Sequence, residues 1–364
     1  MSNVFDIYSW FWDDKYGVNF WRVKKIDIEE LWLRSQLLVL NKNKNKAKEE
    51  YRNWFKQNNR NFKIKFENKK QLINKILEKQ INRFDDPENL PSYATYIQIK
   101  FALKKPYLNK DDEFYIIVNP IVKDKVFKLP MVRATTWKGA LRFAAIREFE
   151  DWIYANKSKP DKKAVFKERA RIVKLFGNEK DSQEDYLGKL CLLAIEGKLP
   201  KGEELKKKIE KVNKEFEKRL VKNGIISKEI PSRSGRLFFY PTFFDTISLD
   251  VITPLSRETK TPVRGPIYFE IVPETTEGVF RLLYYPFDLI ARGEFEKIGD
   301  ELKEDMEFLA KAIRKMLCEI GFSAKKTSGF GVAEIISIDV KCGDKLKQYE
   351  DKIKKFFKGE DDDC

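Results

Sequence analysis

The sequence contains no histidine among its 364 residues. Histidine is the usual general base near neutral pH, so its absence excludes Ser-His-Asp, Cys-His and histidine-dependent ribonuclease mechanisms. Any catalysis by this chain would have to use lysine, tyrosine, a carboxylate or a metal ion.

Cysteine is also scarce, and long apolar runs are absent. The four cysteines, Cys191, Cys318, Cys342 and Cys364, form no Cys-x-x-Cys pair, so we expect neither a zinc finger nor a disulfide framework. The first residues lack a basic segment followed by an apolar one, and no later run reaches the roughly 18 apolar residues of a membrane span. We therefore expect a soluble, cytoplasmic protein with no membrane partner.

What the sequence has in excess is positive charge. Its 72 Lys and Arg residues against 57 Asp and Glu give a formal net charge of +15. This balance favours polyanionic partners, with nucleic acid as the first candidate. A lysine-rich proteome would produce the same composition without any functional reason, so both interpretations stay open.

Two segments stand apart from the rest of the chain. Residues 1–92 hold five of the seven tryptophans and a Lys/Asn-rich tract, and the apolar spacing of residues 71–84 predicts a helix, so we expect a helical extension. Its rings and cations could bind RNA, or they could form a small aromatic core with a solvated lysine face. Residues 177–230 are predicted to be a helical insertion, whose docked face would comprise Leu205, Ile209, Val212, Phe216 and Leu220.

The remaining segments alternate between the strand and the helix period. Residues 96–103 alternate apolar and polar positions as a half-buried strand does, and residues 113–120 are predicted to pair with them as a hairpin. A first helix follows Pro130, with Thr135 or Thr136 as its N-cap. A second helix is expected from Asp300, its cap, to Gly321. Further strands are predicted at residues 235–244, 248–253, 267–272, 278–287 and 332–340.

This order is strand, helix, two strands, helix, strand. It predicts an α+β fold of the ferredoxin-like (βαββαβ, RRM-like) class, with the helical N-terminal extension and the helical insertion added. We expect the core to cover residues 93–345 and a charged C-terminal tail to cover residues 346–364, the last of which are acidic and expected to be disordered.

Three segments at the ends of these elements carry residues suited to phosphate. In residues 133–142, two threonines, Lys138 and the free N–H groups of a helix N-terminus form an anion site, and Arg142 extends the same face. In residues 321–335, Gly329 and Gly331 permit positive φ and close approach of a ligand, while Lys325, Lys326, Thr327 and Ser328 supply donors. The loop at residues 254–265 adds Arg257, Lys260 and Arg264. Each segment could equally be an ordinary solvated surface.

These segments resemble elements of one family. The stretch LPMVRATTWKGALR (129–142) is similar to the lPyiPGSSLKGALR element of the RAMP superfamily, which builds type III CRISPR effector complexes, and residues 321–335 resemble its C-terminal glycine-rich loop. Between them LFG (175–177), GRLFFYPTFFD (235–245) and residues 249–282 resemble further family elements in the same order. The last of these is most similar to the sixth RAMP subunit of Cmr-type (subtype III-B) complexes.

The resemblance, which covers about residues 96–340, implies that a ferredoxin-like body grips the backbone of a guide RNA. It implies guide crRNA, target RNA and other RAMP subunits as partners, and neither cofactor nor metal. Where the family has Pro-Gly-Ser-Ser, this chain has Arg133, Ala134 and two threonines, so the local turn must differ. Together with the residue-based interpretation, this gives the following expected RNA-binding residues: Lys123, Arg133, Thr135, Thr136, Lys138, Arg142, Arg257, Lys260, Arg264, Lys325, Lys326, Thr327, Ser328, Gly329 and Gly331.

Family subunits that cut target RNA carry a catalytic aspartate upstream of the helix lysine. The matching stretch here, IVNPIVKDKVFKLP, places Asn119 at that position, and asparagine lacks the charge that a metal or a general base requires. The expected function is thus a non-catalytic RNA-binding subunit. The alternatives are a metal-dependent endoribonuclease using Asp111, Asp112 or Asp124, for target cleavage or guide processing, and a generic basic structural protein.

Overall fold

The computed structural model describes residues 90–111, 119–125, 129–156, 160–178, 184–254 and 265–358. It also describes residues 256, 258–259 and 261–262, and short pieces of the first 63 residues at 12–13, 17–18, 49, 52–53 and 61–63. The predicted helix at 71–84 and the acidic end at 359–364 lie outside these residues.

The described residues form a mixture of helices and antiparallel sheets, as expected for an α+β protein. The strands, in chain order, are Trp12–Asp13 (β1), Gly17–Val18 (β2), Asn61–Lys63 (β3), Thr95–Leu103 (β4), Met131–Val132 (β5), Leu237–Phe239 (β6), Thr242–Phe243 (β7), Thr246–Ile252 (β8), Ile267–Ile271 (β9), Glu277–Tyr284 (β10) and Ala333–Cys342 (β11). The α-helices are Ala134–Ala155 (α1), Lys162–Phe176 (α2), Glu184–Glu196 (α3), Gly202–Lys222 (α4), Phe287–Ala291 (α5), Phe295–Arg314 (α6) and Glu350–Lys358 (α7).

The main sheet has four strands in the order β11-β4-β10-β6, and every neighbouring pair is antiparallel. β4 shows the predicted alternation, because Ile97, Ile99, Phe101 and Leu103 are buried while Gln98 and Lys100 are half-buried on the other face. Strands β10 and β11 occupy both edges of β4, which contradicts the predicted hairpin with residues 113–120; residues 113–118 themselves lie outside the described residues.

Helices α1 and α6 pack together and share one hydrophobic cluster with the sheet. Trp137 of α1 lies at its centre, with its ring centroid 4.9 Å from that of Phe280 and 4.4 Å from that of Phe322. Its indole N–H donates to the Thr242 hydroxyl at 3.1 Å, which satisfies the one polar group of a fully buried side chain. A tryptophan in the first turn therefore fixes where α1 begins relative to the sheet.

The second sheet has the order β3-β8-β9, and β8 and β9 form a hairpin whose loop is residues 253–266. The segment around residues 254–265, predicted as a loop, thus connects two paired strands. Because Asn61–Lys63 pairs with the base of this hairpin, the N-terminal zone contributes a strand to the body of the fold. The prediction of a purely helical extension is therefore wrong at these residues.

The segment predicted as a helical insertion contains two helices, α3 and α4. Ile209, Val212, Phe216 and Leu220 of α4 are buried, as the spacing predicted, and Leu205 packs against the same cluster. Helix α2, which lies between α1 and this segment, is not among the helices predicted from the sequence.

The boundaries of three other elements differ from the predictions. The strand expected at 235–244 is interrupted at Pro241 between β6 and β7, because proline cannot donate to a sheet ladder. The helix expected from Asp300 begins at Phe295 and continues from Lys315 to Ile320 as a π-helix, ending at Gly321 with φ +77° as predicted. The expected tail contains α7, which docks through Ile353 and Phe357.

Cys318 is disulfide-bonded, whereas Cys191 and Cys342 are buried free thiols. None of the helices among the described residues is long and apolar enough to cross a bilayer.

A buried ion-pair network joins the helices to the sheet. The guanidinium of Arg236, which is fully buried just before β6, donates two hydrogen bonds of 2.7 Å to Asp288 of α5. It also donates to Glu301 at 2.6 Å and to Asp305 at 3.1 Å, both on α6. Lys174 of α2 pairs with the same Glu301 at 2.8 Å. One arginine therefore connects two helices to the edge of the main sheet.

The stretches LFG and GRLFF meet next to this network. The amide of Arg236 donates to the carbonyl of Lys174 at 3.0 Å, and Gly177 forms a bridge with Ser234. A Cβ at Gly235 would lie 2.2 Å from the carbonyl oxygen of Leu175, so only glycine allows this approach of the two backbones. Two motifs that are 58 residues apart (177 against 235) thus form one structural unit.

Candidate nucleic-acid interface

The glycine-rich loop at residues 321–332 is held against the segment that follows β4. The Ser323 hydroxyl donates to the carbonyl of Leu108 at 2.8 Å and accepts from its amide at 2.7 Å. The amide of Gly331 donates to the carbonyl of Pro106, also at 2.8 Å. Because these bonds fix the loop at both ends, its tip at Lys325 to Gly329 is presented in one conformation.

Both glycines of the loop have the positive φ that the sequence predicted, +76° at Gly329 and +75° at Gly331. They differ in what they face. A Cβ at Gly331 would lie 2.4 Å from the Cβ of Ser323, so this glycine allows close internal packing. A Cβ at Gly329 would meet only the Lys105 side chain at 3.9 Å. Gly329 is therefore the position where bare backbone remains accessible to a ligand.

The two adjacent lysines of the loop extend to opposite sides. The ammonium of Lys325, an exposed residue with φ +59°, lies 4.4 Å from the ring centroid of Phe269 in β9. The ammonium of Lys326 lies 4.9 Å from the ring of Phe143 in α1, and burial lowers its pKa. The loop thus bridges β9 of the hairpin and the third turn of α1, with Thr327 and Ser328 exposed between them.

The start of α1 lies beside the same segment. The Asn109 side-chain amide donates to the Thr136 hydroxyl at 3.4 Å, and the Arg133 guanidinium pairs with Asp111 at 3.4 Å. Thr135 is exposed in the first turn, one residue after the helix begins, and Lys138 is half-buried. Residues 105–111 therefore lie between the loop and the helix start, and the structure brings these two predicted segments together.

The predicted N-cap is wrong. Arg133 is the N-cap residue of α1, and no side chain caps the helix. The reason lies in the preceding strand: β5 pairs with β7 up to Val132, so the chain passes directly from a strand into the helix. The threonines consequently occupy the first turn, where the free backbone N–H groups still favour an anion.

Two predicted RNA-binding residues are placed away from this surface. Lys123 is buried and pairs with Glu270, which is itself fully buried and also accepts a hydrogen bond from the amide of Ile121 at 3.1 Å. Arg142 lines a cavity of about 560 Å³ together with Arg169 of α2 and Asn213 of α4. We therefore expect no RNA contact from the buried Lys123, while RNA contact by the half-buried Arg142 stays a prediction. Arg257, Lys260 and Arg264 lie outside the described residues.

The position matched to the family's catalytic aspartate lies behind the hairpin base. Asn119 is half-buried, and its carbonyl accepts from the amide of Glu270 at 3.2 Å. Of the nearby carboxylates, Asp111 is buried against Arg133, Asp124 is half-buried, and Asp112 lies outside the described residues. In the described part of the chain, no group of three or more His, Cys, Asp or Glu side chains could hold a metal ion.

Sequence reasoning missed several residues of this region. Phe143 and Phe269, which the two loop lysines contact, look like ordinary core residues in their elements. Asn109 lies in a loop with no recognisable pattern. Glu270 did leave a signal, because a carboxylate inside the apolar run IYFEIV must find a buried partner.

A sequence model of the RAMP superfamily matches residues 33–334 of the chain. The chain belongs to the RAMP superfamily. The match begins inside the tryptophan-rich zone, so the family region is longer than the resemblance over residues 96–340 indicated. No curated protein matches the chain.

Solved structures provide distant likenesses to this RAMP protein. One is a chain of a type III-B Cmr-beta complex bound to cognate target RNA, with 15% identity, a TM-score of 0.40, and coverage of 83% of this chain and 78% of the other. Another belongs to a CRISPR RNA-guided surveillance complex before nicking, with 13% identity, a TM-score of 0.33, and coverage of 68% and 77%. Sequence identities and TM-scores this low do not indicate a shared function.

Proposed function

We propose that this RAMP protein is a non-catalytic, RNA-binding structural subunit of a type III CRISPR interference ribonucleoprotein, acting in antiviral defence. Guide crRNA, its target RNA and other RAMP subunits would be its partners. The observation that carries the proposal is the loop at 321–332, whose two lysines, exposed hydroxyls and accessible Gly329 backbone adjoin the free N–H groups of the α1 start. The net charge of +15 supports a polyanionic partner.

The proposal extends to the fold and to the place in the complex. We assign the four-stranded sheet to the ferredoxin-like class, supported by its order β11-β4-β10-β6, in which the strands read 4-1-3-2 in chain order. The sequence of residues 249–282 supports a role like that of the sixth RAMP subunit of Cmr-type complexes. Base pairing between guide and target would read the sequence, while this chain would hold the A-form backbone.

Purification of the full chain from its host, followed by sequencing of the RNA that accompanies it, tests this function. We expect repeat-derived guide RNAs of uniform length, together with other RAMP subunits. RNA of random sequence, or no RNA, would contradict the assignment to a CRISPR complex. The same chain purified after nuclease treatment in high salt is the control for RNA that adheres only through charge.

The non-catalytic role predicts that the assembled complex leaves target RNA intact at this subunit. Asparagine at position 119 has no charge for a metal or a proton, so Asn119→Ala should not change the products formed from complementary RNA in Mg²⁺. Asp124→Ala is the discriminating variant. A cleavage product that wild type forms and Asp124→Ala loses would establish the alternative, a metal-dependent endoribonuclease.

A further inference from the structure

An aromatic and cationic stripe runs along the outer side of α1, starting at the glycine-rich loop. Phe143, Arg147, Glu150 and Tyr154 are spaced by four, three and four residues, which places them on one side of the helix over about 16 Å. None of these residues belongs to the interface predicted from the sequence. The RNA contacts proposed for the loop and the start of α1 leave this stripe without a role.

The stripe is continuous with the loop through stacked charges and rings. The Lys326 ammonium lies 4.9 Å from the centroid of the Phe143 ring, and the Arg147 guanidinium carbon lies 5.6 Å from the same centroid. One phenylalanine thus contacts both a loop lysine and a helix arginine. A strand that leaves the loop would meet Phe143 first.

Two exposed tyrosines end the stripe. Tyr154 of α1 is 61% exposed and Tyr186 of α3 is 38% exposed, although tyrosine rings are usually covered in a folded chain. Burial raises the pKa of Tyr186, and the charge of Glu150 and a hydrogen bond to it raise that pKa further, with Tyr154 acting in the same direction. The Tyr186 hydroxyl therefore lies near the Glu150 carboxylate, and both tyrosines keep a large exposed fraction.

Glu150 orders the middle of the stripe. Its carboxylate accepts from Nη1 of Arg147 at 2.5 Å, so it holds the guanidinium next to the Phe143 ring and lies near the Tyr186 hydroxyl. A guanidinium has five N–H donors, and this contact engages one nitrogen, which leaves donor capacity for a phosphate. Glu150 acts here as a positioning residue that fixes both neighbours before a ligand arrives.

We infer that Phe143, Arg147, Tyr154 and Tyr186 form a stacking track for unpaired nucleotides of the RNA that the glycine-rich loop holds. Rings alternating with a cation bind single strands, because the bases of a single strand expose faces that a duplex keeps stacked inside. Continuity with the loop through Phe143 favours RNA over a protein partner as the occupant. This inference rests on the proposed RNA-binding function.

The test measures binding of the full chain to fluorescently labelled oligouridylate and to an RNA duplex of the same length. Tyr154→Ala with Tyr186→Ala should weaken binding of the single strand by about tenfold or more, since loss of one stacked ring costs at least that order. The slope of log affinity against log salt concentration should be the same for this variant as for wild type, because stacking releases no counterions. The matched variant Tyr154→Phe with Tyr186→Phe keeps both rings and should bind within about twofold of wild type.

Comparison with the double variant Lys325→Ala plus Lys326→Ala distinguishes a failure of the stacking track from a failure of the RNA-binding function. If the lysine variant weakens binding and the tyrosine-to-alanine variant does not, the stacking track is refuted while the RNA-binding function stands. If wild type does not bind RNA at all, both fail. If the tyrosine-to-alanine variant binds RNA normally but no longer co-purifies with neighbouring subunits, the stripe is a protein interface, and the inference is wrong.

Discussion

Replacement of Arg236 by methionine should lower the free energy of unfolding by roughly 3–5 kcal/mol. The substitution keeps much of the side-chain volume but leaves Asp288, Glu301 and Asp305 without the guanidinium that all three contact at 3.1 Å or less. Asp305 is 1% exposed, so solvent cannot replace the lost partner. Urea-induced unfolding of the purified full chain measures the effect.

The matched control is Arg219→Met on α4. Its guanidinium is 37% exposed and pairs with Glu215 at 3.7 Å, so the loss should be about 1 kcal/mol or less, as for other surface ion pairs. If Arg236→Met costs no more than Arg219→Met, the network does not hold the helices to the sheet, and the stability must come from the hydrophobic cluster alone.

The same network predicts a loss of stability in acid. Burial alone would raise the pKa of Asp288, but hydrogen bonds and charge from Arg236, with help from Arg233 and Arg292, lower it from 3.8 to about 2. A carboxyl group with a lowered pKa in the folded state stabilises the fold above its ordinary pKa, and this contribution disappears as the pH falls from about 4 towards 2. Arg236→Met should show a weaker dependence over that range.

Replacement of Lys325 and Lys326 by alanine should reduce the salt slope of RNA affinity by about one to two units, independently of RNA sequence. Each lysine that neutralises a phosphate releases counterions, so two contacts correspond to a loss of affinity on the order of tenfold at physiological salt. Titration of labelled RNA at several salt concentrations gives the slope directly.

Lys206→Ala with Lys207→Ala is the control, because it removes the same charge from an exposed side of α4. It should lower affinity only slightly and leave the slope within experimental error of wild type. Equal slopes for both variants would mean that net charge alone attracts RNA and that the loop is not a specific contact. The single variants Lys325→Ala and Lys326→Ala show how much each lysine contributes to the change in salt slope. Their contributions can differ, because Lys325 is exposed and Lys326 is half-buried against Phe143.

Much of the fold was predictable, because local patterns report burial directly. The alternation of residues 96–103, the spacing of the α4 face and the glycine that ends the helix before the loop were all confirmed. What failed were pairings between distant segments. Residues 113–120 look like a partner for β4, yet both edges of that strand are occupied by β10 and β11, which lie far along the chain.

The candidate site shows the same division between local and distant information. Positive φ at Gly329 and Gly331 could be predicted, because glycine is the residue that adopts this conformation without steric cost. The burial of Lys123 against Glu270 could not be predicted. The two residues are 147 positions apart, and only the tertiary fold brings them together. Arg142 is a similar case, because the helices of the insertion form the cavity that it lines.

By itself, then, the sequence determined the absence of histidine chemistry, the positive charge, the type of most elements and the presence of three segments with residues suited to phosphate. These properties depend on residue type and short-range spacing. The tertiary structure decided which cations remain at the surface, that the two loop lysines diverge to the hairpin and to α1, and that Phe143 connects the loop to Arg147 and the tyrosines beyond. These outcomes depend on long-range packing, where burial and the need to pair each buried charge override what a local segment favours.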